Sequence, residues 1–440
     1  MRLDSVYIKN YRCFEEVELD LDERLTLLVG KNGAGKTALL DAAAVAASTF
    51  LGGIDGGKSR NIQKEDARYR FFEMGEVVDP QHQFPVVIKG RGECNGEKEL
   101  EWVRMLNSTE GKTAVKEARQ LVGIAEEMQK KVMEGDWDTV LPVLSYYGTG
   151  RLYAQKKEKR NVETLQKFNR QVGYVDCMAA ESNEKMMLNW FEKMTLKSLQ
   201  AQQKTGTMEK IHQLQAVENA ICQCFAKISG CCQVSSSFDL DTHRIVMEYV
   251  DGEDTKCRFA LNEMSDGYKN TLSMIGDIAY RMAVLNPQLG EGVLEETPGI
   301  VLIDEVDLHL HPQWQQSILG DLQRIFPKVQ FIVTSHAPEI INSVAKEKIR
   351  ILDFGKVYLP MEQTYGRDAN SILREVMQVG ERPAEIQKII SEFYHFIDDG
   401  KIAEAESCLN KLEKIIGGTD PEISSARVTI DFEKMQEEME

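Results

Sequence analysis

Hydrophobic and polar positions change period several times along the chain, and each change marks an element. Val6-Tyr7-Ile8 and Val17-Glu18-Leu19-Asp20-Leu21 nearly alternate, as half-buried antiparallel strands do. Leu25-Thr26-Leu27-Leu28-Val29 is a continuous apolar run, as in a strand covered on both faces. A glycine-rich loop follows, and a helix is predicted from about Lys36. Strands and helices then mix up to about residue 150, with 84–88 and 141–147 reading as strands. From about 152 to 232 the helical period dominates and glycine is sparse. Two helices in that stretch would reach roughly 50 Å at most, and no heptads persist to make a long coiled-coil arm. Strand patterning returns at Arg244–Val250, followed by a helix after Ser265 and the apolar strand Gly299–Ile303. A helix over 312–326 and a strand over 329–333 come next. Strand, helix, strand with short connections implies a parallel βαβ unit. Beyond about 362 the chain is helical again, with Ile397, Ala405, Leu409, Leu412 and Ile415 as the stripe of a small helical hairpin.

Length and charge narrow the class. The 440 residues suggest two or three domains. With 42% hydrophobic and 28% charged residues, a long disordered chain is excluded. Fifty-three basic against seventy acidic residues give a net charge of −17, which argues against coating nucleic acid with the whole surface. Contact with DNA or RNA would come from a local basic groove or from a partner. No run of eighteen apolar residues suggests a membrane span, and the first residues lack a signal-peptide pattern. Nine cysteines, mostly scattered singly, fit a reducing compartment, so a cytoplasmic protein is expected.

The candidate chemistry starts at Gly30-Lys31-Asn32-Gly33-Ala34-Gly35-Lys36-Thr37, a match to G-x-x-x-x-G-K-[ST] between a buried strand and a helix. Its glycines let backbone N–H groups curl around an anion at a helix N-terminus. Lys36 would reach the β and γ phosphates of ATP, and the Thr37 hydroxyl would bind Mg²⁺. The apolar strand Ile300-Val301-Leu302-Ile303 delivers Asp304 to hold the hydrated Mg²⁺ and Glu305 to act as general base. Thr334-Ser335-His336 ends the next strand, and in a parallel sheet its tip lies near that of the Asp304 strand, so His336 could donate to the γ phosphate.

These pieces, in this order, resemble the ATPase heads of the RecF, Rad50, SMC and OLD group within the ABC class. Ile8-Lys9-Asn10-Tyr11-Arg12-Cys13-Phe14 is similar to the start of those heads, which implies that Arg12 lies near the nucleotide. Leu261-Asn262-Glu263-Met264-Ser265-Asp266-Gly267-Tyr268 resembles the ABC signature, although Asp266 replaces the first glycine. The resemblance implies that Ser265 and Gly267 bind the γ phosphate presented by a second subunit, in a head-to-tail dimer or a higher assembly. Ser265 could also simply cap its helix. Asp307 looks like the acid near that seam, or is a solvated acid.

Three further stretches give a closer resemblance: Asp304-Glu305-Val306-Asp307-Leu308-His309-Leu310-His311-Pro312-Gln313-Trp314, Thr364-Tyr365-Gly366-Arg367-Asp368-Ala369-Asn370-Ser371-Ile372-Leu373, and Tyr146-Tyr147-Gly148-Thr149-Gly150-Arg151. They are similar to the PtuA-like ATPase subunits of Septu and retron-associated anti-phage systems, where an HNH-type nuclease is a separate chain. The expected fold is an α/β ABC-type ATPase head, a mixed sheet with a P-loop and flanking helices, carrying a helical insert and a helical C-terminal extension. Lobe I with the Walker A loop spans 1–151, the insert 152–235, lobe II with signature, Walker B and His switch 236–360, and the extension 361–440.

The usual Q-loop glutamine is not evident near Gly148 to Gln155: Gln155 is one candidate, and Arg151, at a glycine-flanked strand end, could touch phosphate instead. Lys156, Lys157, Lys159 and Arg160 are a solvated helix face, or a docking site for nucleic acid or the nuclease. Glu437, Glu438 and Glu440 form an acidic end, either solvated or facing a basic partner. Cys222, Cys224, Cys231 and Cys232 have the wrong spacing for a zinc site and read as ordinary buried side chains. No Toprim or HNH arrangement is visible. A repair ATPase of the RecF and Rad50 type is one alternative, and a nucleotide switch with negligible turnover is another. A transporter's ATP subunit is disfavoured, because 229 positions separate Lys36 from Ser265.

Overall fold

The computed structural model describes residues 1–74, 77–152, 169–179, 184–205, 211–353, 355–380 and 382–437. The chain divides into two compact units, Met1–Arg367 and Asp368–Glu440.

The first unit is built on a six-stranded sheet in the spatial order Lys356–Tyr358, Ile349–Asp353, Leu25–Gly30, Val329–Ser335, Gly299–Ile303, Val143–Tyr147. All neighbours are parallel except the first pair. The central strands are buried along their whole length, which is why they read as apolar runs rather than alternations. Register aligns their carboxyl ends: Ile303 pairs with both Val333 and Tyr147, and Ser335 pairs with Val29. The loops after Gly30, Ile303 and Ser335 therefore open on the same edge of the sheet, the edge where open α/β sheets bind ligands.

A second, antiparallel sheet runs Phe14–Asp20, Arg2–Tyr11, Val86–Cys94, Glu97–Leu106. Helix Lys36–Ser48 lies between the two sheets and touches strands of both. Its sequence explains how it fits there. Ala42, Ala43, Ala44, Ala46 and Ala47 are all fully buried, and their small side chains let both sheets approach. The Trp102 indole closes that contact by donating to the Ala46 carbonyl at 2.9 Å. Farther along, the helix Asp266–Leu285 packs on His212–Ser229, beside the meander Cys232–Asp239, Arg244–Val250, Lys256–Ala260. The helices Glu184–Thr205 and His212–Ser229, within the expected insert, belong to this same compact unit.

Two boundaries move from the sequence expectation. The strand expected over 141–147 begins at Val143, because the Leu141 N–H and carbonyl both bond to the Asn286 side chain, at 2.8 Å each, instead of joining a ladder. The strand expected over 84–88 runs Val86–Cys94, held by pairing on both sides.

The second unit corrects the expected helical hairpin. Helices Ala384–Asp398, Ile402–Ile416 and Pro421–Glu437 share one core, preceded by the short helix Ala369–Glu375. Ile423, Ala426 and Ile430 of the last helix cover the face that Phe393, Ala405, Leu409 and Leu412 present. Among the described residues, no helix is long and apolar enough to cross a membrane.

Alignment of the strand ends depends on Gly299. A Cβ there would lie 1.9 Å from the Val143 carbonyl. Gly299→Ala should therefore destabilise the protein by roughly 1–3 kcal/mol through overpacking, read as a lowered midpoint of thermal unfolding. An unchanged midpoint would show that the strand pair tolerates the methyl group.

Candidate functional site

The loop between strand Leu25–Gly30 and helix Lys36–Ser48 turns on two glycines at positive φ, +80° at Gly33 and +100° at Gly35. Gly35 has a second constraint: a Cβ would meet Phe14 Cζ at 2.6 Å and Cys13 Sγ at 2.7 Å. The segment Arg12–Phe14 thus roofs the loop, and only glycine fits beneath it. Asn32 and Gly33 are exposed, Ala34 half-buried, and the Ala34 N–H bonds to the Lys31 carbonyl at 3.1 Å. The Lys36 ammonium donates to the carbonyls of Gly30 at 2.8 Å and Lys31 at 3.1 Å. Burial pushes its pKa below the ordinary lysine value, against the pull of Glu305, Asp304 and Asp307.

Asp304, 2% exposed, follows the Gly299–Ile303 strand. Its carboxylate accepts from the Thr37 hydroxyl at 2.9 Å and from the Thr334 hydroxyl at 2.6 Å. Its amide donates to the Tyr147 carbonyl at 2.8 Å. Glu305 stands at φ +48°, in the left-handed region that a non-glycine residue rarely adopts. The Thr334 hydroxyl accepts its N–H at 2.7 Å, and Glu305 Oε1 lies 3.8 Å from His336 Nε2. Lys36, Thr37, Asp304, Glu305 and His336 therefore gather at one sheet edge. Thr37 and Asp304 place hydroxyl and carboxylate oxygens side by side, the hard donors that Mg²⁺ takes.

Arg12 directly precedes Cys13 and Phe14, which cover Gly35 of the loop. Its guanidinium donates to Asp41 Oδ2 at 2.7 Å and to Asp66 Oδ1 at 2.8 Å. Asp41, one helical turn beyond Thr37 and 4% exposed, also pairs with Arg60 at 2.9 Å and accepts from the Tyr146 hydroxyl at 2.7 Å. Arg60 lies over the Tyr146 ring at 4.4 Å.

Ser265 occupies the N-cap position of helix Asp266–Leu285, but its side chain makes no capping hydrogen bond and is exposed. Gly267 is buried against the same chain: a Cβ would meet the His309 carbonyl at 2.6 Å and the Trp314 ring at 3.4 Å. Tyr268 packs edge-on to Trp314, with ring centroids 4.3 Å apart. Asp307 is half-buried, and among the described residues its Oδ1 has no hydrogen-bond partner.

Sequence reasoning missed Thr334, the Asp41 cluster and a third buried group. Tyr147 donates to Asp277 Oδ2 at 2.7 Å, and Arg281 donates to the same oxygen at 2.8 Å and to the Gly173 and Val175 carbonyls. One signal was present. Asp41 is the lone acid of its helix, set in the otherwise apolar stretch from Ala38 to Ala47, and such an acid must find partners. Of the four cysteines expected to be buried, Cys224 is, Cys222 and Cys231 are half-buried and Cys232 is exposed, and among the described residues no group of three or more His, Cys, Asp or Glu is placed to hold a metal. Gln155, Lys156, Lys157, Lys159, Arg160, Glu438 and Glu440 lie outside the described residues, as do the side chains of Arg151 and Glu437.

A family profile described as "AAA domain" matches residues 5–229, and another, described as "AAA domain, putative AbiEii toxin, Type IV TA system", matches 234–342. The chain is 24% identical to the Retron Ec83 probable ATPase of Escherichia coli, over 99% of this chain and 89% of that one. It is 23% identical to the Retron Vc95 probable ATPase of Vibrio cholerae serotype O1 biovar El Tor, over 91% and 84%. The Septu protein PtuA of Bacillus thuringiensis is 28% identical over 42% of this chain and 48% of its own. Among solved structures, the SMC head domain from Thermotoga maritima is 13% identical, covering 82% of this chain and 98% of that one, with a TM-score of 0.41.

Arg12→Ala would leave the buried Asp41 and Asp66 short of a charged partner. It should lower stability by roughly 1–3 kcal/mol, measured by urea unfolding. An unchanged midpoint would mean that Arg60 and Tyr146 suffice for Asp41.

Proposed function

The chain belongs to the AAA-domain family, and from that premise we propose that it is a Mg²⁺-dependent ATPase of anti-phage defence that closes head-to-tail on ATP and gates a partner nuclease. The observation that carries the reading is the convergence of Lys36, Thr37, Asp304, Glu305 and His336 where three neighbouring parallel strands end.

In this reading the loop from Gly30 to Thr37 cradles the phosphates with its N–H groups, and Lys36 turns from the Gly30 and Lys31 carbonyls to the β and γ phosphates. Thr37 and Asp304 would hold Mg²⁺, which neutralises charge on the triphosphate. Glu305 accepts the proton of the attacking water, and His336, 3.8 Å from it, donates to the γ-phosphate oxygens. Arg12 lies near the nucleotide in this reading, at the roof of the loop, and also braces the following helix at Asp41. Ser265, exposed and without a capping bond of its own, offers its hydroxyl to the nucleotide of a second copy. Gly267 supports it by letting the helix start lie against His309. Residues 1–151 and 236–360 are the two lobes of the head in this reading, 152–235 the insert, and 361–440 the extension. The defence role and the nuclease partner rest on the retron and Septu relatives, two of which match most of both chains.

Two measurements test this. Lys36→Ala should lose ATP binding, and Glu305→Gln should bind ATP, hydrolyse it on the order of 10²–10⁴-fold more slowly and accumulate as a dimer in gel filtration with ATP. Parent-rate hydrolysis by Glu305→Gln would remove Glu305 as the base. Affinity purification of the tagged protein from its host should recover a stoichiometric nuclease chain, and recovery of the protein alone under low salt would count against the gating role.

A further inference from the structure

In Thr334-Ser335-His336 the sequence assigns a role only to His336, yet the Thr334 hydroxyl bridges the two candidate site residues Asp304 and Glu305. It is fully buried, one residue before the end of the Val329–Ser335 strand. Its hydroxyl bonds to Asp304 Oδ1 at 2.6 Å and to the Glu305 N–H at 2.7 Å. Its carbonyl accepts the Val306 N–H at 3.0 Å. The polarity of this arrangement is fixed by valence. The Glu305 N–H can only donate, so the hydroxyl's lone pair serves it and the hydroxyl's single proton goes to the Asp304 carboxylate. One side chain thereby sets the rotation of the carboxylate and anchors the backbone that turns, at φ +48°, to present Glu305.

Resting on the ATPase reading above, we propose that Thr334 is the positioning residue of this site: it orients Asp304 toward the metal and fixes the backbone of Glu305, touching neither substrate nor metal itself. The second hydroxyl on Asp304, that of Thr37, is exposed and has a metal to serve in the same reading. Thr334, buried behind the carboxylate, has no such duty. A charge-assisted O–H to carboxylate bond is among the stronger hydrogen bonds. Partners that orient a metal-binding group from behind typically matter by 10- to 100-fold, roughly, in metal affinity or activity.

Thr334→Val keeps the shape and removes both side-chain bonds, whereas Thr334→Ser keeps the hydroxyl. Manganese binding to the ATP-loaded protein, followed by electron paramagnetic resonance, should weaken roughly 10- to 100-fold in Thr334→Val, with a parallel rise in the Mg²⁺ concentration needed for half-maximal hydrolysis and a fall in kcat. Binding of a fluorescent ATP analogue in chelator, without metal, should stay close to the parent, and Thr334→Ser should restore the metal affinity. Parent-like metal affinity in Thr334→Val overturns the proposal. So does equal loss of metal-free nucleotide binding, or a Thr334→Ser variant as defective as Thr334→Val. Lys36→Ala, run beside them, separates the two readings. If it binds the analogue as the parent does, the phosphate-site reading falls. If it is defective while Thr334→Val is parent-like, only the role of Thr334 falls.

Discussion

The Asp304 carboxylate is 2% exposed and satisfied by hydroxyls from two other elements. Burying a carboxylate without partners is costly, so the elements that supply those partners must end where it sits. Helix Lys36–Ser48 brings Thr37, the strand Val329–Ser335 brings Thr334, and the strand Val143–Tyr147 brings a carbonyl for the Asp304 amide. A one-residue slip of the Val329–Ser335 strand against its neighbour Gly299–Ile303 would turn the wrong side chain to this point, because side chains alternate along a strand. The site and the register of the sheet are thus one constraint.

A second buried carboxylate, Asp41, repeats the logic one helical turn deeper. It ties the helix to both sheets: Arg12 comes from the turn after the antiparallel strand Arg2–Tyr11, and Tyr146 from the edge strand of the parallel sheet. Adjacent Tyr147 faces the opposite side of that strand and reaches Asp277 on helix Asp266–Leu285. Two successive tyrosines on one strand therefore grip two helices on opposite faces of the sheet, as the period of two requires. The same strand gives its Tyr147 carbonyl to Asp304. The helix with Ser265 at its N-cap position is consequently joined, through Asp277, to the strand next to the one that ends at Ile303 and leads into the loop of Asp304 and Glu305. Its first turn touches that loop directly, with Gly267 against His309 and Tyr268 against Trp314.

Much was legible in the sequence because it is local. The run from Leu25 to Val29, the glycines at 33 and 35, Lys36 and Thr37 lie on consecutive positions, and strand, turn and helix propensity act over such short distances. The strand before Asp304 and the one before His336 declare themselves by apolar runs, since both faces of the sheet are covered. The sequence alone therefore specified which residues sit in the loop and at the strand ends, and the parallel pairing of neighbouring strands.

What the tertiary structure decided is which side chains meet. Thr334 looks like any strand threonine until Asp304 and Glu305 are placed beside it, 30 and 29 residues away in sequence. Arg12 carries a family expectation, but its partners at Asp41 and Asp66 are set by chain crossings 29 and 54 residues long. Leu141 has strand chemistry and leaves the ladder because the Asn286 amide, 145 residues on, satisfies its backbone. Apolar period and turn propensity encode where the chain goes. The pairing of buried polar groups depends on distances between remote segments, and those exist only once the chain has closed on itself.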